Sequence, residues 1–154
     1  MSETKEKIIA ILSEIERPGM DAVINYLNTS NYFKCWGGGH HHENGGLAAH
    51  CLEVYKVMKA VGGGLPKDSI AIAGLFHDLG KTRRHDGRGH WNRSLDILDE
   101  CGFELTADER YSIGHHHDKT FASMQNPLRR VLLLADSAST GAWKIMHPKC
   151  LRKK

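Results

Sequence analysis

Apolar residues recur at helical spacing through nearly the whole chain, and no stretch alternates as a strand would. Between Lys5 and Glu16, the residues Ile8, Ile9, Ile11, Leu12 and Ile15 form one stripe with Glu and Lys opposite. That pattern predicts an amphipathic helix, stopped by Arg17-Pro18-Gly19. A second helix is expected from about Met20 to Leu27. Residues 28–46 have no period and are rich in glycine and histidine. This reads as a long loop, and long ordered loops are often functional.

From Gly46 to Val61 the apolar face is Leu47, Cys51, Val54, Tyr55 and Met58, and Gly62-Gly63-Gly64 ends the helix. Pro66, suited to a first turn, opens a helix running to about Leu79. Lys81 to Gly89 reads as a basic loop with Asp86-Gly87 as its turn signal. A helix is expected over Trp91 to Cys101. Another follows up to Ile113, with Thr106 and Glu109 spaced as a capping box. Pro127 starts the last helix, Leu128 to Ser139. These elements predict an all-α fold of about six or seven helices. With no internal repeat or linker, 1–154 reads as a single domain: a core at about 45–139, N-terminal helices at 5–27 and a short basic C-terminal tail.

Composition narrows the function classes. The 154 residues suffice for one ordinary core without disulfides. A formal net charge of +3 is mild, and part of it sits in Arg152-Lys153-Lys154. There is no basic stripe, hence no strong nucleic-acid signal. The four cysteines, Cys35, Cys51, Cys101 and Cys150, form no C-x-x-C pair. They read as reduced thiols, so the expected location is cytoplasmic. No leader pattern and no apolar run of membrane-spanning length occurs, and no membrane partner is expected.

Eleven histidines are the unusual number. His77-Asp78 follows the apolar run Ile70–Phe76. An imidazole and a carboxylate buried side by side are costly unless a divalent cation takes both lone pairs. His50, the run His115-His116-His117 and Asp136 offer matching ligands. Taken singly, His50 reads more readily as a core histidine. Asp136 ends the run Val131–Ala135 and needs a cation if it is buried. Arg129 and Arg130 lie nearly two turns back, and a solvent-facing acid is the alternative. The chain has no P-loop and no nucleophile elbow.

The order His50, His77-Asp78, Asp136 resembles the HD superfamily of metal-dependent phosphohydrolases. Gly45-Gly46-Leu47-Ala48-Ala49-His50 is similar to the segment carrying that family's first ligand. Phe76-His77-Asp78-Leu79-Gly80-Lys81 is similar to its defining motif, and Leu134-Ala135-Asp136 to its final aspartate. The resemblance implies one ion held by His50, His77, Asp78 and Asp136, with Asp78 able to bridge to a second. Gly89-His90 and Ile113-Gly114-His115-His116-His117-Asp118 look like the segments supplying further histidines. They carry over His90, His116 and His117; a one-residue shift would favour His115 and His116. The histidine triplet His40-His41-His42 is given no role.

A set of histidines and aspartates points to Fe, Mn, Co, Ni or Zn, as one or two ions. The resemblance implies a metal-dependent phosphohydrolase in which metal-activated water attacks a phosphomono- or phosphodiester of a nucleotide-like small molecule. Asp78 and Lys81 would be catalytic. Lys81 would also bind phosphate, with Arg83 and Arg84 as second choices, although a solvated loop charge weighs slightly more for both arginines. The alternatives are a diiron oxygenase of the same superfamily and a non-catalytic metal- or nucleotide-sensing module. Substrate, metal and oligomeric state are not legible.

Overall fold

The computed structural model describes residues 2–83 and 89–148. Seven α-helices occur among them: α1 Glu3–Ser13, α2 Met20–Thr29, α3 Gly46–Val61, α4 Lys67–Phe76, α5 His90–Glu100, α6 Ala107–Gly114 and α7 Pro127–Met146. Short 3-10 turns cover Leu79–Thr82 and Ser123–Gln125. The described residues contain no strand, so the fold is all-α as the periodicity predicts. Arg84 to Arg88, which include one of the candidate phosphate ligands, and the basic tail from Lys149 onward lie outside the described residues.

Helix α4 is the axis of the structure. Every residue from Ser69 to Phe76 is buried, which is why its sequence is apolar on all sides rather than on one stripe. Helix α3 crosses it closely: a Cβ on Gly74 would stand 3.0 Å from the Tyr55 backbone. One core cluster joins Ile8 and Leu12 of α1, Val23 and Leu27 of α2, Leu47 and Cys51 of α3, and Ile72, Leu75 and Phe76 of α4. A second, of Val54, Met58, Ile70, Ala73, Leu128, Leu132 and Ala135, seats α7 against α3 and α4.

Several boundaries depart from the periodicity. Helix α4 ends at Phe76 rather than near Leu79, because Asp78 leaves helical geometry (φ −105°, ψ 11°) and the chain tightens into the 3-10 turn. There the Gly80 N–H donates to Ser94 Oγ at 2.7 Å, tying the turn to α5. Helix α7 runs past Ser139 to Met146, and its extra turns bury Trp143 against His41 and His42. The capping box of α6 forms as expected: Glu109 N–H donates to Thr106 Oγ1 at 3.1 Å and Thr106 N–H to Glu109 Oε1 at 3.0 Å. Glu109 also accepts from Ser69 Oγ at 2.6 Å and pairs with Arg17, clamping α6 to α4 and to the segment after α1.

Candidate metal centre

The end of α4 delivers His77 and Asp78 into a cleft between α3, α5, α7 and the turn after α6. His50 comes from α3, Asp136 from α7, His90 from the first position of α5, and His116 and His117 from just beyond α6. Two sets of side chains meet there. His50, His77, Asp78 and Asp136 each offer a ligand atom, all within 4.8 Å of one another, and so do Asp78, His90, His116 and His117.

Asp78 belongs to both sets, and its two oxygens divide between them. Oδ2 lies 3.4 Å from His50 Nε2 and 3.4 Å from His77 Nε2. Oδ1 lies 3.0 Å from His90 Nε2 and 3.3 Å from His116 Nε2. Asp136 Oδ1 stands 2.9 Å from His50 Nε2 and 3.7 Å from His77 Nε2. His90 Nε2 and His116 Nε2 are 3.1 Å apart.

Backbone groups aim the imidazoles. His77 Nδ1 donates to Gly74 O at 2.9 Å, and His116 Nδ1 donates to Ile113 O at 2.7 Å. Those bonds occupy Nδ1 and leave the Nε2 lone pair facing the cleft, as metal-ligating histidines require. Ser139 Oγ takes the same place for His50, 2.9 Å from its Nδ1. Although carboxylates and imidazoles lie this close, none is aligned for a hydrogen bond to His50 Nε2, His77 Nε2 or Asp78 Oδ1, all of which are buried. Orphaned atoms of this kind carry a desolvation cost that a shared cation removes. The donor set therefore fits a divalent ion.

The electrostatics of the cluster agree. Burial pushes the Asp78 carboxyl up, but His77 and Lys81 outweigh it and hold it well below the usual carboxylate range. For Asp136 too, burial is outweighed, by His50 and His77, and its carboxyl is held low. Burial opposes charge on His50 and His77, yet Asp136 and Asp78 raise both above the ordinary histidine value. Low carboxyls beside raised imidazoles mark the cluster as a place that draws positive charge, which a divalent ion supplies. On the other side, burial depresses His116, and burial with His116 and His90 lowers His117 to about 4, so both offer neutral lone pairs.

His115 turns away, pairing with Asp118 Oδ2 at 3.0 Å and stacking on Tyr111 at 4.1 Å. His117 stacks on Trp91 at 5.0 Å. Lys81 Nζ lies 3.0 Å from Asp78 Oδ2 and donates to Gly37 O at 2.8 Å. Arg83 instead pairs with Glu100 at 2.6 Å and lies over the Tyr26 ring, outside the cavity that contains Asp78 and Asp136.

The loop of residues 30–45 folds onto the site, which the bare composition of that segment did not specify. His41 adopts φ 50° and bonds Glu53 through Nε2 at 2.8 Å, while its Nδ1 lies 2.7 Å from His40 Nδ1. The His40 ring packs 4.6 Å from His50. His40, His41 and His50 form a third group able to hold an ion. It shares His50 with the first set, and His50 has only Nε2 to offer because Nδ1 faces Ser139.

The described residues form an all-α domain with histidines and aspartates clustered at the end of a buried helix, able to hold a metal ion. Residues 47–141, more than half of the chain, match the family model of the HD domain, and the protein belongs to that family. No curated protein and no solved structure matches the chain. HD domains bind divalent metals, and membership points to the metal-dependent hydrolases. No helix among the described residues is long and apolar enough to cross a membrane.

Proposed function

We propose that this HD domain is a metal-dependent phosphohydrolase that cleaves a phosphomono- or phosphodiester of a nucleotide-like small molecule. His50, His77, Asp78 and Asp136 hold one ion in this reading, and Asp78, His90, His116 and His117 hold a second. The observation that carries it is the split carboxylate of Asp78, one oxygen in each set of histidines. A two-ion centre of this kind supplies Lewis acidity and activates water near neutral pH.

The chain's own groups supply positioning. Ser139 and the carbonyls of Gly74 and Ile113 orient the imidazoles. Burial lowers the Lys81 ammonium pKa, but Asp78 outweighs it and the net shift is upward, so Lys81 stays charged beside the carboxylate it faces. In that place it can donate to a phosphate oxygen. The site opens into a cavity of about 440 Å³ lined by Asp78, Lys81, His116 and Asp136 among others. Arg83 pairs with Glu100 and lines a neighbouring cavity with Lys81 and His90, so it stays a second choice for phosphate in this reading.

Elemental analysis of the purified protein, coupled to a panel of nucleoside monophosphates, cyclic nucleotides and a chromogenic diester, tests the proposal. The expected result is two transition-metal ions per chain and phosphoester cleavage lost on chelation. Oxygen uptake by the Fe(II)-loaded protein without phosphoester cleavage would establish the oxygenase instead. Metal without any turnover would support a sensing module.

A further inference from the structure

Arg129, in the first turn of α7, is the largest fully buried side chain among the described residues, at 0 % exposure. Its Nε donates to His115 O at 3.1 Å and its Nη2 donates to Asp118 O. Nη1 is buried and has no partner. No carboxylate among the described residues pairs with it; the Asp118 side chain is taken by His115 and by the Thr120 N–H. Arg129 is thus a buried cationic side chain with no carboxylate partner among the described residues, an arrangement that an incoming anion would relieve.

The geometry of the group calls for an anion with two adjacent oxygens, and the phosphohydrolase reading selects a phosphoryl group over a carboxylate. The Nε/Nη2 edge is used up on backbone carbonyls, leaving the Nη1/Nη2 edge, whose parallel N–H bonds match two oxygens of a phosphoryl group. Arg129 lines the same cavity as Asp78, His116, His117 and Asp136. Lys119 and Lys144, both exposed, line it as well, together with Ser137 and Thr140. Positive charge on that wall exceeds what the two aspartates neutralise, and those aspartates are committed to the histidines.

Resting on the phosphohydrolase reading, we propose that Arg129 is the phosphoryl-anchoring residue of this site. Its free edge forks onto two oxygens of the substrate's phosphoryl group, with Lys119 and Lys144 drawing the anion to the cavity mouth.

The test is calorimetric binding of inorganic phosphate, with acetate as a second probe, to the metal-loaded protein. The chains compared are the native one, Arg129→Lys, Arg129→Gln and Lys144→Ala, with metal content measured in parallel. The inference expects the native chain to bind phosphate and acetate much more weakly. Both Arg129 variants should lose about tenfold or more in phosphate affinity at unchanged metal content. Lys144→Ala should lose a smaller amount that shrinks as salt rises. Equal phosphate binding by all four chains would overturn it, and so would acetate binding as tight as phosphate. Metal loss in step with phosphate loss would overturn it too, since Arg129 would then only brace the turn carrying His116. If Arg129→Gln does not fold, Arg129→Lys decides, because lysine keeps the charge and loses the fork. Binding does not require turnover. Phosphate affinity that depends on Arg129 in a protein that cleaves no phosphoester would therefore overturn the reaction reading and leave the anchor standing.

Discussion

Asp78 is placed where one carboxylate serves two groups of imidazoles, and its neighbours in sequence could not do so. His77 continues helical geometry and aims into the first set, while Asp78 breaks from the helix and presents its two oxygens to opposite sides. Single substitutions should therefore separate the two sets. Asp78→Ala is expected to strip all tightly bound metal, whereas Asp136→Ala and His90→Ala should each leave one ion per chain by elemental analysis after gel filtration. Retention of both ions by Asp78→Ala would contradict the shared carboxylate. Ser139→Ala should weaken the first ion by roughly 10–100-fold without abolishing it, as expected for a residue that orients a ligand rather than donating to the ion.

At the scale of elements, the site depends on the close contact between the 3-10 turn and α5. A Cβ on Gly80 would lie 2.0 Å from His90 O and 2.8 Å from Ser94 N, backbone atoms that cannot swing aside. Gly80→Ala is expected to push α5 away, lose the ion of the His90 side first and destabilise the fold by about 1–3 kcal/mol. Full metal content with an unchanged melting temperature would show that the contact is not needed.

The clamp at Glu109 is a second element-scale feature. Burial raises its carboxyl, but the bonds from Arg17, Ser69 and Thr106 outweigh that and the net shift is downward. A carboxyl depressed in the folded state contributes stability that is full above its unfolded value of 4.5. That contribution fades as pH falls through the lower folded value. Glu109→Gln should therefore cost about 3 kcal/mol near pH 7, since it strands Arg17 beside a buried site. The gap to the native protein should narrow in denaturant titrations below about pH 4. A gap that stays constant with pH would point to packing instead of charge.

For the whole molecule, the metal centre and the core are one structure. Orphaned nitrogens belong to His50 on α3 and to His77, the residue that caps α4, and both helices form the core, so ion binding is expected to report on global stability. Chelation should lower the melting temperature by several degrees, the shift following the logarithm of free-metal concentration; identical melting curves would argue against a buried shared site. The first core cluster also extends beyond residues 47–141, because Ile8, Leu12, Val23 and Leu27 fill it alongside Leu47 and Ile72.

Much of this was written locally. Helical period, the capping box of Thr106 and Glu109, and the stop at Arg17-Pro18-Gly19 are short-range properties, so they read directly from residue order. The order of His50, His77-Asp78 and Asp136 points to a shared site through its resemblance to the HD superfamily, whereas His50 taken alone reads as a core histidine and Asp136 allows a solvent-facing acid. Other features were illegible for a definite reason. Arg129 and Arg130 look alike in sequence, yet one is fully buried and the other exposed, a difference set by where α7 docks. Likewise, which of His115, His116 and His117 turn inward depends on how the chain leaves α6.

The amino-acid sequence by itself determined the helical class, the order of the elements and the donor types available, because these follow from periodicity and side-chain chemistry within a few residues. Only the tertiary structure decided that Asp78 Oδ2 faces His50 and His77 while Oδ1 faces His90 and His116, that the 30–45 loop covers the site, and that Arg129 carries an unpaired edge. Those depend on distances between residues far apart in the chain, and such distances are set when helices pack, not by the residues themselves.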